Sequence, residues 1–183
     1  MNTPASSVSR RLASCFQAYE RRDYEVALLH FFPALDKVAK RRRPTDGVGA
    51  RIRSFLRDEE VLITAIATGN AFKGCVFDGL TFEDAIYKFG RTSIAHEGEL
   101  DPRLKFVDGG GWSIGETWNL PSQYILGLCV AVMVSPECKG EKIAADANVT
   151  IFGREWKLGE LWGEERAVKE HIAAAFRNPG LFS

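Results

Sequence analysis

The sequence predicts a mostly α-helical protein, a bundle of five to six helices with one or two short β-hairpins. Apolar residues recur at intervals of three and four along most of the chain, which is typical of helices that bury one face. Glycine and proline fall near the ends of these segments, where helices usually stop. The 183 residues are 45% hydrophobic, enough for one buried core, so we expect a single domain spanning 1–183.

The first two predicted helices lie close to the N-terminus. Residues 6–20 place apolar side chains at helical spacing. Asp23 is a suitable N-cap for a second helix, whose basic last turn complements the helix dipole and which stops before Pro44. Pro33 falls inside this second segment. Because proline has no backbone N–H, we expect it to kink or split the helix.

Two further helices are expected on either side of a loop that contains glycine. The third covers about residues 51–68, with Gly69 as its C-terminal stop. Thr81 and Asp84 have the spacing of a capping box, which predicts the start of a fourth helix. The apolar stripe of this helix continues towards His96.

The C-terminal half of the sequence alternates short strands with two helices. Residues 104–117 place two apolar pairs around a glycine run, which predicts a short hairpin or an ordered loop. Residues 121–134 are apolar nearly all round, which indicates a central helix. A second hairpin is expected over 149–158, turning at Gly153, and a last helix over 160–177.

Composition and spacing exclude several classes of protein. The chain has 24 basic and 24 acidic residues, so no net charge draws it to nucleic acid or to a membrane surface. Its four cysteines lack the paired spacing of a zinc site and are expected in the core, and we expect neither a metal nor a cofactor. The longest apolar run, 125–134, is too short to cross a bilayer, which predicts a cytoplasmic protein with no membrane partner.

The residues best suited to chemistry concentrate between positions 87 and 99, where His96 follows Arg91 by five positions. Histidine titrates near neutral pH, so it can take up or deliver a proton. An arginine guanidinium can hold a phosphate by two parallel hydrogen bonds while negative charge develops on it. RNA carries its own nucleophile, the ribose 2′-hydroxyl, so this pair meets the requirements of RNA cleavage without a metal ion.

This segment resembles the HEPN-domain proteins, helical bundles of which many are ribonucleases of toxin and defence systems. The hexapeptide RTSIAH at 91–96 matches their Arg-x4–6-His motif, and the flanking residues 80–87 are similar as well. The resemblance covers residues 20–135 as a helical core and leaves 136–183 as an extension with a hairpin and a helix. It implies a homodimeric endoribonuclease whose two motifs face each other, with RNA as substrate and a protein antitoxin or regulator as a partner.

In this interpretation Arg91 clamps the phosphate and His96 is the general acid and base. Active members of the HEPN group usually carry Asn, Asp or His after the arginine, and Thr92 takes that place here as a polar helper. Tyr87 would line the same cleft, and Glu97 would orient His96. On an ideal helix Arg91 and His96 are roughly 140° apart around the axis, which agrees with a cleft completed by a second subunit.

A basic segment supplies further candidate contacts to RNA. Residues 37–57 contain eight basic residues and one acidic residue. Within it Arg42, Arg43 and Arg51 are the expected substrate-binding residues, because a basic surface tracks the phosphates of a nucleic acid. The alternative is a solvated helix end and loop without a ligand.

Two alternatives to catalysis stay open for the motif itself. In the first, His96 is a core histidine bonded to a backbone carbonyl, and Arg91 pairs with Glu97 or Asp84. In the second, the same bundle is a non-catalytic module that binds a nucleotide, RNA or a protein partner, which the departure at Thr92 favours.

Overall fold

The computed structural model describes residues 5–109, 111–142 and 147–183, and over these residues the fold is mostly helical, as predicted. The fifth helix combines an α-helical start (Phe82–Ala85), a π-helical middle (Ile86–Thr92) and an α-helical end (Ser93–Glu97), and we number it as one element. The helices are α1 (Ser7–Glu20), α2 (Tyr24–Arg42), α3 (Val48–Asp58), α4 (Glu60–Thr68), α5 (82–97), α6 (Gln123–Val134) and α7 (Glu165–Ala175).

Short strands connect these helices and form three small sheets in the described ranges. The strands are β1 (Val76–Phe77), β2 (Leu80–Thr81), β3 (Leu104–Val107), β4 (Ser113–Ile114), β5 (Trp118–Pro121), β6 (Asn148–Ile151) and β7 (Arg154–Lys157). The predicted hairpin over 149–158 is confirmed as β6–β7, and it turns at Phe152 and Gly153, which both have positive φ. Single turns of 3₁₀-helix lie at Pro136–Cys138 and Leu158–Glu160.

Side-chain caps explain where three of the helices begin. The Ser6 hydroxyl accepts the first free N–H groups of α1, the Asp23 carboxylate accepts one from α2, and the Thr81 hydroxyl accepts one from α5. Each cap satisfies a backbone donor that the helix itself leaves unpaired. The predicted starts of the second and fourth helices are therefore confirmed.

The structure decides two points about the predicted helices. Helix α2 continues through Pro33, so of the two expected effects of this proline, a kink or a split, the split does not occur. The single helix expected over 51–68 is instead two helices, α3 and α4, which meet at Glu59. The Glu59 backbone leaves helical geometry at φ −101° and ψ 5°, and its buried carboxylate contacts Arg42 and Lys169, so the break is held by charges that lie far away in the sequence.

The strand pairing over 104–121 also differs from the expectation. Strand β3 does not form a hairpin with β4, the first strand after the glycine run. Both β3 and β4 pair with β5, which lies between them, β3 in parallel and β4 antiparallel. The observed sheet therefore includes 118–121, a stretch that the sequence pattern assigned to a loop and a helix start.

Helix α6 lies at the centre of the core, as its all-round apolar sequence predicts, and nearly all of its side chains are buried. It approaches α4 closely at Gly127, where an added Cβ would lie 2.6 Å from the carbonyl oxygen of Ile63. The same hydrophobic cluster extends through the β6–β7 hairpin to α7, for example at Trp156 and Ile172.

Three of the four cysteines are buried in this core, as predicted. The sulfur atoms of Cys15 on α1 and Cys129 on α6 are 3.2 Å apart, and Cys138 packs below the end of α6. Cys75, in the loop before β1, is only half-buried.

Candidate functional site

Helix α5 carries the predicted motif, and it departs from α-helical geometry in the turn that contains Arg91. Its π-helical middle ends at Thr92, so Arg91 belongs to the wider turn and His96 to the α-helical end. Gly90 allows α5 to lie against α2, because an added Cβ would be 2.7 Å from the ring of Phe32. Single π-helical turns inside helices are frequent at functional sites.

Arg91 lies beside an aromatic ring and a second arginine. Its guanidinium carbon is 6.0 Å from the centroid of the Tyr87 ring, and that of Arg53 on α3 is 4.6 Å from the same centroid. We call these three side chains the Arg53–Tyr87–Arg91 cluster. All three are partly buried, so the cluster presents two positive charges at the surface.

Neither guanidinium of this cluster forms a close ion pair within the described ranges. Arg91 forms no hydrogen bond or ion pair there, and Arg53 approaches only Asp84, at 3.6 Å. Thr92 is likewise partly buried and leaves its hydroxyl without a partner among the described residues. The structural alternative in which Arg91 pairs with Glu97 or Asp84 is therefore not realised.

His96 and Glu97 lie exposed in the last turn of α5, which ends at Gly98 with φ +82°. His96 makes no hydrogen bond with any described residue, so it is not the core histidine of the structural alternative. Glu97 does not bond to His96 either, which corrects the expectation that it orients the imidazole. Both side chains are directed to solvent and are free to meet a ligand or a second subunit.

Arg42, an expected phosphate contact, is instead the centre of a partly buried ion-pair network. Its Nε and Nη2 atoms each lie 3.1 Å from a Glu137 oxygen, and Nη1 lies 2.7 Å from Glu59. Lys169 of α7 adds a second cation, 2.8 Å from Glu59. Because its N–H groups already meet carboxylates, the structure gives no support to the expectation that Arg42 binds substrate.

The other two expected contacts are engaged in the same way. Arg43 lies 2.6 Å from Asp58. Arg51 is buried and lies 2.7 Å from Asp36, with a further bond to the backbone oxygen of Asp46. These acids flank the basic segment or come from distant parts of the chain, so the local charge count of the sequence overestimates the free positive charge.

Arg53 is the site residue that sequence reasoning missed. It belongs to the same basic segment, but its neighbour Tyr87 lies 34 positions later, a distance that no local pattern bridges. The signal available was weak: Gly49 precedes Arg53 by one helical turn and gives Tyr87 room, since a Cβ at Gly49 would lie 3.0 Å from the tyrosine oxygen.

The described residues contain neither a candidate metal site nor a helix suited to span a membrane. No group of three or more His, Cys, Asp or Glu side chains lies close enough to hold a metal ion. No helix there combines the length and the apolarity needed to pass through a membrane.

Comparison with known proteins relates the chain to mycobacterial sequences. It is 28% identical over 184 residues to the uncharacterized protein Rv1289 of Mycobacterium tuberculosis and, at the same identity, to the uncharacterized protein Mb1320 of Mycobacterium bovis. Each match covers 91% of this chain and 88% of the relative. No solved structure matches the chain. A family model described as Rv1289 matches residues 7–179, so the chain belongs to the Rv1289 family.

Proposed function

We propose that this protein is a metal-independent endoribonuclease of the HEPN type, which acts in the cytoplasm as a homodimer. The proposal rests on the surroundings of Arg91 and His96. Arg91 and His96 occupy one helix, neither has a charged or hydrogen-bonding partner among the described residues, and Arg53 places a second guanidinium at the same Tyr87 ring. An arginine and a histidine without intramolecular partners are available to a phosphodiester.

The proposed reaction uses the ribose 2′-hydroxyl as nucleophile. His96 takes the proton of this hydroxyl while its oxygen attacks the adjacent phosphorus, and the bond from phosphorus to the 5′-oxygen breaks. Arg91 neutralises the charge that builds up on the non-bridging oxygens. The leaving oxygen accepts a proton, so the products carry a 2′,3′-cyclic phosphate and a 5′-hydroxyl.

The homodimer supplies the second proton-transfer group. His96 lies exposed at the end of α5, whereas Arg91 is partly buried against Tyr87. Two copies of α5 facing each other would bring two imidazoles to one phosphate, one as base and one as acid. The Arg53–Tyr87–Arg91 cluster of each subunit would then bind the phosphates next to the cleaved bond.

The test is cleavage of a labelled single-stranded RNA by the purified protein in EDTA, with the product ends identified by mass spectrometry. We expect 2′,3′-cyclic phosphate ends, and loss of at least about a hundredfold in rate for Arg91→Ala and for His96→Ala, the usual size of a general acid–base or charge-stabilising contribution. A substrate with 2′-O-methyl groups throughout should resist cleavage.

Arg21→Ala is the matched control, because Arg21 is an exposed arginine at the C-cap of α1 and belongs neither to the motif nor to the Arg53–Tyr87–Arg91 cluster. It should cleave at the wild-type rate. Equal rates for wild type and both motif variants would remove the assignment to this site, and a wild-type protein that is folded but inactive would remove the catalytic proposal.

The second candidate is a non-catalytic module of the same fold that binds RNA, a nucleotide or a protein partner such as an antitoxin. Two observations favour it: Thr92 stands where active HEPN proteins carry Asn, Asp or His, and Glu97 does not hold His96. In that case the labelled RNA is retained but not cut, and Arg53→Ala and Arg91→Ala weaken its binding while His96→Ala does not.

A further inference from the structure

A small cavity lies away from the α5 motif, between α4, α6 and the loops that carry β1 and β4. Its volume is about 20 Å³, room for one non-hydrogen atom of the size of a water molecule. Its lining includes Glu60, Thr64, Cys75 and Tyr124 together with the aromatic residues Phe77, Trp112 and Trp118. Sequence reasoning assigned none of these residues to a site.

Glu60 lines this cavity, and its carboxylate has no cation to balance it among the described residues. The residue is 2% exposed, and no basic side chain of the described ranges lies within ion-pair distance of it. Its carboxylate accepts the backbone N–H of Gly74 at 2.6 Å, which holds the loop before β1. Burial and, to a smaller extent, the nearby Glu83 carboxylate raise the pKa of Glu60, and they outweigh the backbone hydrogen bonds from Gly74 and Cys75, which lower it.

Tyr124 faces the same space. It is 3% exposed, and its hydroxyl forms no hydrogen bond with a described residue. Burial, together with the nearby Glu60 carboxylate, raises the pKa of Tyr124 to about 12, so at neutral pH the hydroxyl is uncharged and can accept a hydrogen bond. Tyr124 lines the cavity together with Glu60, so its hydroxyl is available to a group bound there.

The remaining wall is aromatic and open on one side. The Phe77 ring packs edge-on against Trp118 at 5.8 Å and against Trp112 at 6.1 Å between centroids. Trp112, which is 37% exposed, and the half-buried Cys75 are lining residues that reach the surface, and we take their side of the cavity as its mouth. The faces of tryptophan and phenylalanine rings attract cations, so walls of this kind complement a carboxylate in holding a positive charge.

We propose that this cavity binds the ammonium group of an aliphatic amine. The nitrogen occupies the space for one atom, donates hydrogen bonds to Glu60 and Tyr124 and contacts the aromatic faces. The carbon chain leaves through the mouth beside Trp112. A quaternary ammonium is too large for the volume, and a bare potassium ion would find too few oxygen atoms, so the geometry selects a primary amine.

Titration of the intact protein with methylammonium, followed by the fluorescence of the tryptophans that line the cavity, tests this site. We expect a saturable change for the wild type and at least about tenfold weaker binding for Glu60→Gln, which keeps an oxygen for Gly74 but removes the charge. Potassium and tetramethylammonium at equal ionic strength should give no saturable change.

Glu141→Gln is the matched control, because Glu141 also has a largely buried carboxylate but pairs with Arg41 outside the cavity lining. It should bind methylammonium like the wild type. Tyr124→Phe, which removes only the hydroxyl, should also weaken binding and serves if Glu60→Gln is unstable. No saturable response in the wild type, equal binding by both cavity variants, or equal binding of tetramethylammonium would overturn the proposal.

Two further probes distinguish the sources of such an amine. A diaminoalkane represents a free metabolite, and Nα-acetyl-lysine amide represents a lysine side chain. If either probe binds more tightly than methylammonium, the site is supported and that probe identifies the source of the amine. If neither probe nor methylammonium binds, the proposal is overturned.

Discussion

At the scale of single residues, arginines of one short segment have opposite environments. Arg42 is enclosed by Glu59 and Glu137, whereas Arg53 lies over the Tyr87 ring with only a distant carboxylate. A guanidinium that is already bonded to carboxylates stabilises the fold and has no donors left for a ligand. The free donors of Arg53 and Arg91 are what make α5 the candidate site.

Replacing Arg42 by methionine should destabilise the protein by about 3–5 kcal/mol, because it leaves buried carboxylates with too little positive charge. The free energy of unfolding from urea titration measures this effect. The matched control is Arg166→Met, which breaks a fully exposed pair with Glu170 and should change stability little. A similar, small effect of both substitutions would contradict the structural role given to Arg42.

The same network predicts how stability depends on pH. Burial would raise the pKa of Glu137, but the hydrogen bonds and charge of Arg42 outweigh it, and the net pKa is lowered. A carboxyl group with a lowered folded-state pKa stabilises the fold at neutral pH and loses that contribution as the pH falls through this value. The difference in stability between wild type and Arg42→Met should therefore shrink on acidification. A difference that stays constant from neutral to acidic pH would argue against this linkage.

At the scale of elements, two glycines set how closely helices approach. Gly127 brings α6 against the backbone of α4, and Gly90 brings α5 against the Phe32 ring of α2. Both have ordinary helical backbone angles, so the reason for glycine is space. A backbone carbonyl cannot move aside without shifting a helix, whereas the edge of a ring can rotate or slide by small amounts.

Gly127→Ala should therefore destabilise the protein more than Gly90→Ala, with the latter costing about 1–3 kcal/mol as an overpacked core position. Thermal and urea unfolding measure both. Shortening the neighbour in Phe32→Leu should recover part of the loss of Gly90→Ala, and none of the loss of Gly127→Ala. Equal losses of stability in Gly127→Ala and Gly90→Ala would show that contact with the Phe32 ring is not what limits the side chain at position 90. The same conclusion would follow if adding Phe32→Leu to Gly90→Ala recovered no stability.

At the scale of the whole molecule, the proposed ribonuclease needs two subunits. Arg91→Ala and His96→Ala are each expected to be inactive alone. A mixed dimer of the two still contains one intact arginine and one intact histidine on different subunits, so a shared cleft should restore part of the cleavage activity. Mixing the purified variants and measuring cleavage tests this, with light scattering to establish the dimer. Recovery stays partial because only one of the two imidazoles is present, and no recovery at all in a proven mixed dimer would contradict a cleft in which the arginine of one subunit and the histidine of the other act on the same phosphate.

The sequence by itself determined the helical class, the capped helix starts, the central helix and the β6–β7 hairpin. These depend on periodicity, caps and turn residues, which act over a few positions and are visible in a single sequence. It also singled out Arg91 and His96 as the residues with suitable chemistry.

Only the tertiary structure decided the break at Glu59, the parallel pairing of β3 with β5 and the fate of each arginine. The break is held by Arg42 and Lys169, and the sheet is completed by residues beyond the loop, so both depend on groups far apart in the chain. Arg42, Arg43 and Arg51 form short ion pairs, whereas Arg53 has only the longer contact with Asp84, because ion pairing depends on distances in space that charge counts along a sequence do not contain.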